Sequence, residues 1–200
     1  RYLNLPSITS SAKYNVTRFV SLRTIALCFL AGRAVCGKGC EMNFTIDDVN
    51  ILYEDNHVIV AVKPQNMPSV PDESGDADMY TVLKEYIKQK ENKPGDAFLG
   101  VVHRLDRPTG GVMMFAKTSK AAERLTRAVK EREVEKKYLA VINGKLKSDR
   151  GTLVNWLRKN PSTNVVSVVT SLTEGAIEAR LDYEQLETLG AISLVRVVLH

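Results

Sequence analysis

From Lys137 onward the sequence is a succession of short aliphatic and β-branched runs with almost nothing of helical period between them. Residues 137–143, 152–157, 165–170, 176–183 and 193–199 each read as a strand, and polar or Gly-bearing stretches separate them. Connections that carry no crossover helix cannot join parallel neighbours, so these strands must pair mostly antiparallel. The first half adds two strand-like runs, Val49–Tyr53 and Val58–Lys63, split by the turn-rich triplet Glu54-Asp55-Asn56. The second run is apolar on both faces and suggests a buried central strand, which Pro64 ends. Phe98–His103 and Val112–Lys117 read as two further strands around a polar loop.

Helical spacing is confined to two places. Met79, Val82, Leu83, Tyr86 and Ile87 form a stripe behind Asp78, whose carboxylate suits an N-cap. Ala121, Ala122, Leu125, Ala128 and Val129 form another behind Thr118 and Ser119, either of which can cap it. Residues 64–78, with three prolines, are expected to be a polar loop. The economical architecture is an α+β domain: a mixed, largely antiparallel sheet with a few flanking helices.

The ends differ from this body. Residues 1–40 hold six Lys/Arg and no acid, and an apolar run from Phe19 to Ala31 is too short to span a bilayer. Residues 1–41 are read as a basic leader or as upstream sequence translated ahead of a start at Met42, with one folded domain over 42–200. Upstream translation is favoured over a transit segment or a secretory signal; a start at Met42 leads us to expect a cytoplasmic setting, and a transit segment an organellar one. Cys28, Cys36 and Cys40 all fall in this leader, without a nearby His, so no metal site is expected. At the other end Ser193–Leu199 reads as a strand that stops at His200 without a turn, which suggests truncation.

Within the body, charge is segmented. Residues 99–159 carry fifteen basic and six acidic side chains, an excess of nine, between flanks that are net acidic. Clustered Lys/Arg is what phosphate contacts need, although a solvated surface with ordinary ion pairs would look the same. Lys120, Arg124 and Arg127, spaced by four and three, project together from the second helix.

The chemistry sits in V-V-H-R-L-D-R-P-T-G-G-V-M-M-F-A-K, Val101 to Lys117. It places one carboxylate, Asp106, in a tight loop between apolar strands, with Arg104 and Arg107 beside it to favour the ionised form. Pro108 stiffens the loop, and Gly110 and Gly111 permit close approaches. On these grounds alone a catalytic carboxylate and a hairpin whose Asp simply pairs with an Arg both remain open.

The segment H-R-L-D-R-P-T-G-G, followed by an apolar strand and A-K, resembles the central motif of RluA-type pseudouridine synthases. I-L-Y-E-D-N-H-V-I-V-A-V-K-P (Ile51 to Pro64) resembles that family's opening motif, with Asn66 where Gly is usual. K-A-A-E-R-L, then E-K-K-Y-L-A-V-I-N-G ending at Gly144, resembles its helix and its Lys-Tyr strand. The resemblance covers roughly residues 44–199 and implies isomerisation of uridines in rRNA or tRNA to pseudouridine, without cofactor or metal, by a monomer that binds no membrane. It puts the catalytic aspartate at Asp106, the arginine that helps hold the flipped nucleotide's place at Arg104, and the active-site tyrosine at Tyr138. His103 is expected to be structural and His57 to serve the turn. Arg107, Lys120, Arg124, Arg127, Lys130, Lys136 and Lys137 are the candidate RNA contacts.

In the family, a strand like Leu194–Leu199 runs on into a segment whose arginine pairs with the aspartate. That segment is not in the sequence, so weak or no activity and poor stability are expected of the chain as written. Two other classes compete. A catalytically inactive RNA-binding module of the same fold is opposed by the intact Asp106 and Tyr138. A glycosidase or nucleosidase would need a second placed carboxylate. A kinase reading fails, since Leu105 separates His103-Arg104 from Asp106 and no Gly-rich phosphate loop is present.

Overall fold

The computed structural model describes residues 2–4, 44–92 and 95–200. Apart from residues 2–4, the leader expected over 1–41 lies outside the described residues. The strands are β1 (Tyr2–Asn4), β2 (Asn50–Glu54), β3 (Val58–Lys63), β4 (Gly100–Val101), β5 (Gly111–Ala116), β6 (Lys136–Asn143), β7 (Arg150–Lys159), β8 (Val166–Val169), β9 (Ile177–Leu189) and β10 (Ile192–Leu199). The helices are α1 (Met79–Lys90) and α2 (Ser119–Lys130), with a 3-10 turn at Ile46–Asp48.

The α+β class holds, and the sheet expected to be mixed is two sheets whose pairings are all antiparallel. One has the order β2-β3-β5-β4 and the other β1-β6-β10-β9-β7-β8. In the first, β3 is central as its apolar run demands, and Ile59 and Ala61 are wholly buried beside Met113 and Phe115 of β5. The α1 stripe covers this face with Met79, Leu83 and Ile87, while Asp78 caps the helix by accepting the Thr81 amide at 3.0 Å. The Thr118 side chain caps α2 in the same way through the Ala121 amide. No helix among the described residues is long and apolar enough to cross a membrane.

Three local readings change. The strand expected at Phe98–His103 shrinks to Gly100–Val101, because Phe98 turns outward and residues after Val101 leave the sheet. The strand expected at Ala176–Tyr183 runs on to Leu189, since its polar C-terminal half pairs with β10 across a bulge. The loop expected to be polar over 64–78 is so at 71–75, which are exposed, but tucks Met67, Pro68 and Ser69 inward. Asn66 turns that loop at a left-handed φ of 67°, the backbone angle that the usual Gly would take without strain.

Candidate active site

Asp106 sits at the tip of a loop whose two shoulders are fastened from beneath. On one side the Ser69 hydroxyl donates to the Leu105 carbonyl at 2.6 Å and accepts the Leu105 amide at 3.1 Å. Leu105 itself is buried in the first core, which anchors the backbone one residue before the aspartate. On the other side the Lys63 ammonium donates to the Arg107 carbonyl at 3.1 Å, and to the carbonyls of Met67 at 2.6 Å and Pro64 at 3.1 Å. The Thr109 amide closes the tip onto the Asp106 carbonyl at 2.9 Å. Gly110 lets the following strand lie against the 63–66 segment: a Cβ there would come within 2.9 Å of Gln65 Cγ and 3.3 Å of its amide nitrogen. The Asp106 side chain is exposed at the end of this fixed backbone.

Sequence reasoning passed over Lys63 and Ser69. Both are buried and polar, and Lys-Pro at a strand end is too weak a mark in the sequence to single out Lys63. Lys63 is fully buried, and burial, followed by the Arg107 charge, pulls its pKa from about 10.5 down to about 8, with the Asp106 charge opposing.

Arg107 does not serve Asp106. Its guanidinium pairs with Asp76 and, at 3.5 Å, with Asp72, and its Nε donates to the Asn66 carbonyl at 3.2 Å. Arg107, one of the expected RNA contacts, thus ties the Asp106 loop to the 64–78 loop, because two acids of that loop fold back to meet it. Arg104 points the other way and is exposed at the mouth of a cavity. His103 is structural as expected: its Nε2 accepts the Met114 amide at 3.1 Å, and burial, with a smaller push from Lys136, lowers its pKa.

Arg104, Asp106 and Tyr138 all line one cavity of about 570 Å³. Its floor is the apolar side of the six-stranded sheet. Strand pairing sets Tyr138 opposite Val197, which stands opposite Tyr183, and sets Leu199 opposite Leu181, which stands opposite Leu153. Period-two alternation puts Ala140, Ile142 and Val195 on the same side, so one pleat face supplies the floor and the loop supplies the charge. Tyr138 is half-buried against the first core, and burial, followed by the Asp106 charge, raises its pKa. Phenol and carboxylate thus line the same cavity.

Of the expected RNA contacts, Lys120, Arg124, Arg127 and Lys130 are exposed on α2 and Lys136 is exposed at the start of β6. Lys137 is paired with Glu135 at 2.6 Å. The apolar stripe of α2 is only half-buried where it lies on β4 and β5. Among the described residues no group of three or more His, Cys, Asp or Glu could hold a metal ion.

A family model described as RNA pseudouridylate synthase matches residues 57–200. The chain is 39% identical over 100 residues to a ribosomal large subunit pseudouridine synthase D from Xanthomonas campestris, covering 50% of this chain and 30% of that protein. It is 38% identical over 104 residues to a dual-specificity RNA pseudouridine synthase RluA from Haemophilus influenzae, covering 52% of this chain and 44% of that one. The matches thus span less than half the length of these relatives. Among solved structures, human RNA pseudouridylate synthase domain containing 4 shares the fold, with a TM-score of 0.62 at 22% identity over 75% of this chain and 58% of that one.

Proposed function

The chain belongs to the RNA pseudouridylate synthase family, of the RluA type, and from that premise we propose that it carries a centre isomerising uridine in RNA to pseudouridine with Asp106 as the catalytic carboxylate. The observation that supports this is the convergence on one cavity of Asp106, Tyr138 and Arg104, which two separate motifs of the sequence supply.

The isomerisation breaks the bond between N1 of the base and C1′ of the ribose, turns the base, and joins C5 to C1′. C5 then gives up its proton and N1 takes one, so the reaction is balanced without an outside reagent. Asp106, held out from a backbone fastened on both sides, meets the sugar or the base as nucleophile, or the sugar as base. Tyr138 is kept protonated by burial and by the carboxylate, so it stacks against the base; if its oxygen takes the C5 proton, its own hydroxyl proton passes on to N1 or to solvent. Arg104 at the mouth holds the place vacated by the flipped uridine. Flipping costs a few kcal/mol, offset by the apolar floor and by phosphate contacts from Lys120, Arg124, Arg127, Lys130 and Lys136. The setting we propose is a monomer acting on rRNA or tRNA in the cytoplasm.

The test is release of tritium from RNA labelled at uridine C5, comparing the parent with Asp106→Ala. Release by the parent alone supports the assignment. Equal release by both would remove Asp106 from the mechanism, and RNA binding without release would leave a binding module.

A further inference from the structure

Tyr183 is a second aromatic in the same cavity, and no step of the isomerisation uses it. It stands in one row with Tyr138 across the sheet, separated by Val197 of the intervening strand. Two strand spacings put their backbones roughly 9.5 Å apart, so the rings serve different parts of the cavity. Its other neighbour in the row is Gly151 of β7. A Cβ at Gly151 would fall 2.6 Å from the Tyr183 Oη, 2.8 Å from Cζ and 2.9 Å from Cε1. The ring is therefore laid down over bare backbone at β7, and any side chain at 151 would lift it. Packing of an aromatic over a cross-strand glycine stabilises a sheet by itself. Here the ring is only half-buried while it rests on that glycine, and it lines the cavity alongside Leu181, Leu199 and Leu153. A flat, half-exposed ring on an apolar floor suits a base, since stacking needs a π-face and no particular hydrogen-bonding edge.

We propose that Tyr183, seated on Gly151, is a stacking platform for the base of an unpaired nucleotide next to the target uridine. This rests on the isomerase reading for the identity of the target, but the platform has its own readout. The contact contributes affinity and not sequence choice, because each of the four bases offers a π-face. Tyr183 is in this sense a substrate-positioning residue, and it holds the strand so that one neighbour enters the Asp106 end of the cavity.

The experiment uses the chain's single Trp. In a Trp156→Phe background, Tyr183→Trp places a reporter at the platform, and a short single-stranded oligouridylate is titrated in. Binding is followed in parallel by anisotropy of the labelled oligonucleotide. The expected result is quenching of indole emission with the same midpoint as the anisotropy. In tritium release, Tyr183→Leu should raise KM for RNA about tenfold with a smaller change in kcat, and Tyr183→Phe should restore KM. Oligonucleotide binding without quenching, or an unchanged KM in a folded Tyr183→Leu, overturns the proposal. If Tyr183→Leu fails to fold, the quenching result decides alone. A parent that releases no tritium while the indole is quenched leaves the platform standing and lends the isomerase reading no support. Tritium release with an unquenched indole does the reverse.

Discussion

The Ser69 hydroxyl holds both polar groups of one peptide residue, donating to the Leu105 carbonyl at 2.6 Å and accepting the Leu105 amide at 3.1 Å. Because Leu105 precedes Asp106, this pair of hydrogen bonds sets the direction in which the carboxylate leaves the loop. Ser69→Ala leaves a buried N–H and C=O without their partner, a loss of about 1–3 kcal/mol. Denaturant unfolding should show that loss, and tritium release should fall in kcat more than in KM. A variant as stable and as active as the parent would mean that Leu105 is held by core packing alone.

Lys63 clamps the other shoulder and gives a pH signature. Its folded pKa, about 8, lies below its ordinary value near 10.5. The unfolded chain therefore binds the proton more readily, and this group's contribution is greatest above about 10.5 and is lost as pH falls through about 8. The full swing is on the order of 3 kcal/mol. Unfolding free energies of the parent and Lys63→Met, measured from pH 7.5 to 10, should diverge as pH rises, with the parent gaining. Parallel curves would contradict the buried ammonium.

The fold was legible wherever a local rule decided it. Asp78 and Thr118 cap their helices as their side chains require, and β3 is central because Val58–Val62 has no polar face. Asp106 and Tyr138 were legible through the motifs they sit in, and Arg104 likewise. What sequence could not give was partner choice between distant segments. Arg107, adjacent to Asp106, turns to Asp72 and Asp76, thirty or more positions back, because the 64–78 loop folds under it. Lys63 was invisible for a related reason: a lysine at a strand end is ordinarily solvated, and only the return of Arg107 and Met67 over it makes three carbonyls available. Tyr183 needed the register of three strands before it could be seen beside Tyr138.

His103 adds sensitivity on the acid side. Its Nε2 accepts the Met114 amide and must stay unprotonated to do so, while burial holds its pKa below the usual histidine range. As pH falls from about 6.5 the unfolded chain takes up this proton first, so stability is lost on acidification. Comparing unfolding at pH 7.5 and pH 5.5 should show a larger drop for the parent than for His103→Gln, whose amide oxygen can still accept from Met114. Equal drops would assign the acid sensitivity to other groups.

The α2 charges test how the domain meets RNA. Lys120, Arg124 and Arg127 are exposed on a helix lying on β4 and β5, the two strands that flank the Asp106 loop in sequence. If they contact phosphates, each releases counterions, and each contributes roughly 0.7–0.9 to the slope of log affinity against log salt. Reversing Arg124 and Arg127 to Glu should weaken RNA binding and lower that slope by about two contacts' worth, with the thermal midpoint nearly unchanged because both side chains are solvated. Affinity that falls without a change in slope would point to a disturbed helix. Affinity and slope that both stay put would move the phosphate path away from α2, leaving Lys136 at the start of β6 and Arg104 at the cavity mouth as the cations to test next.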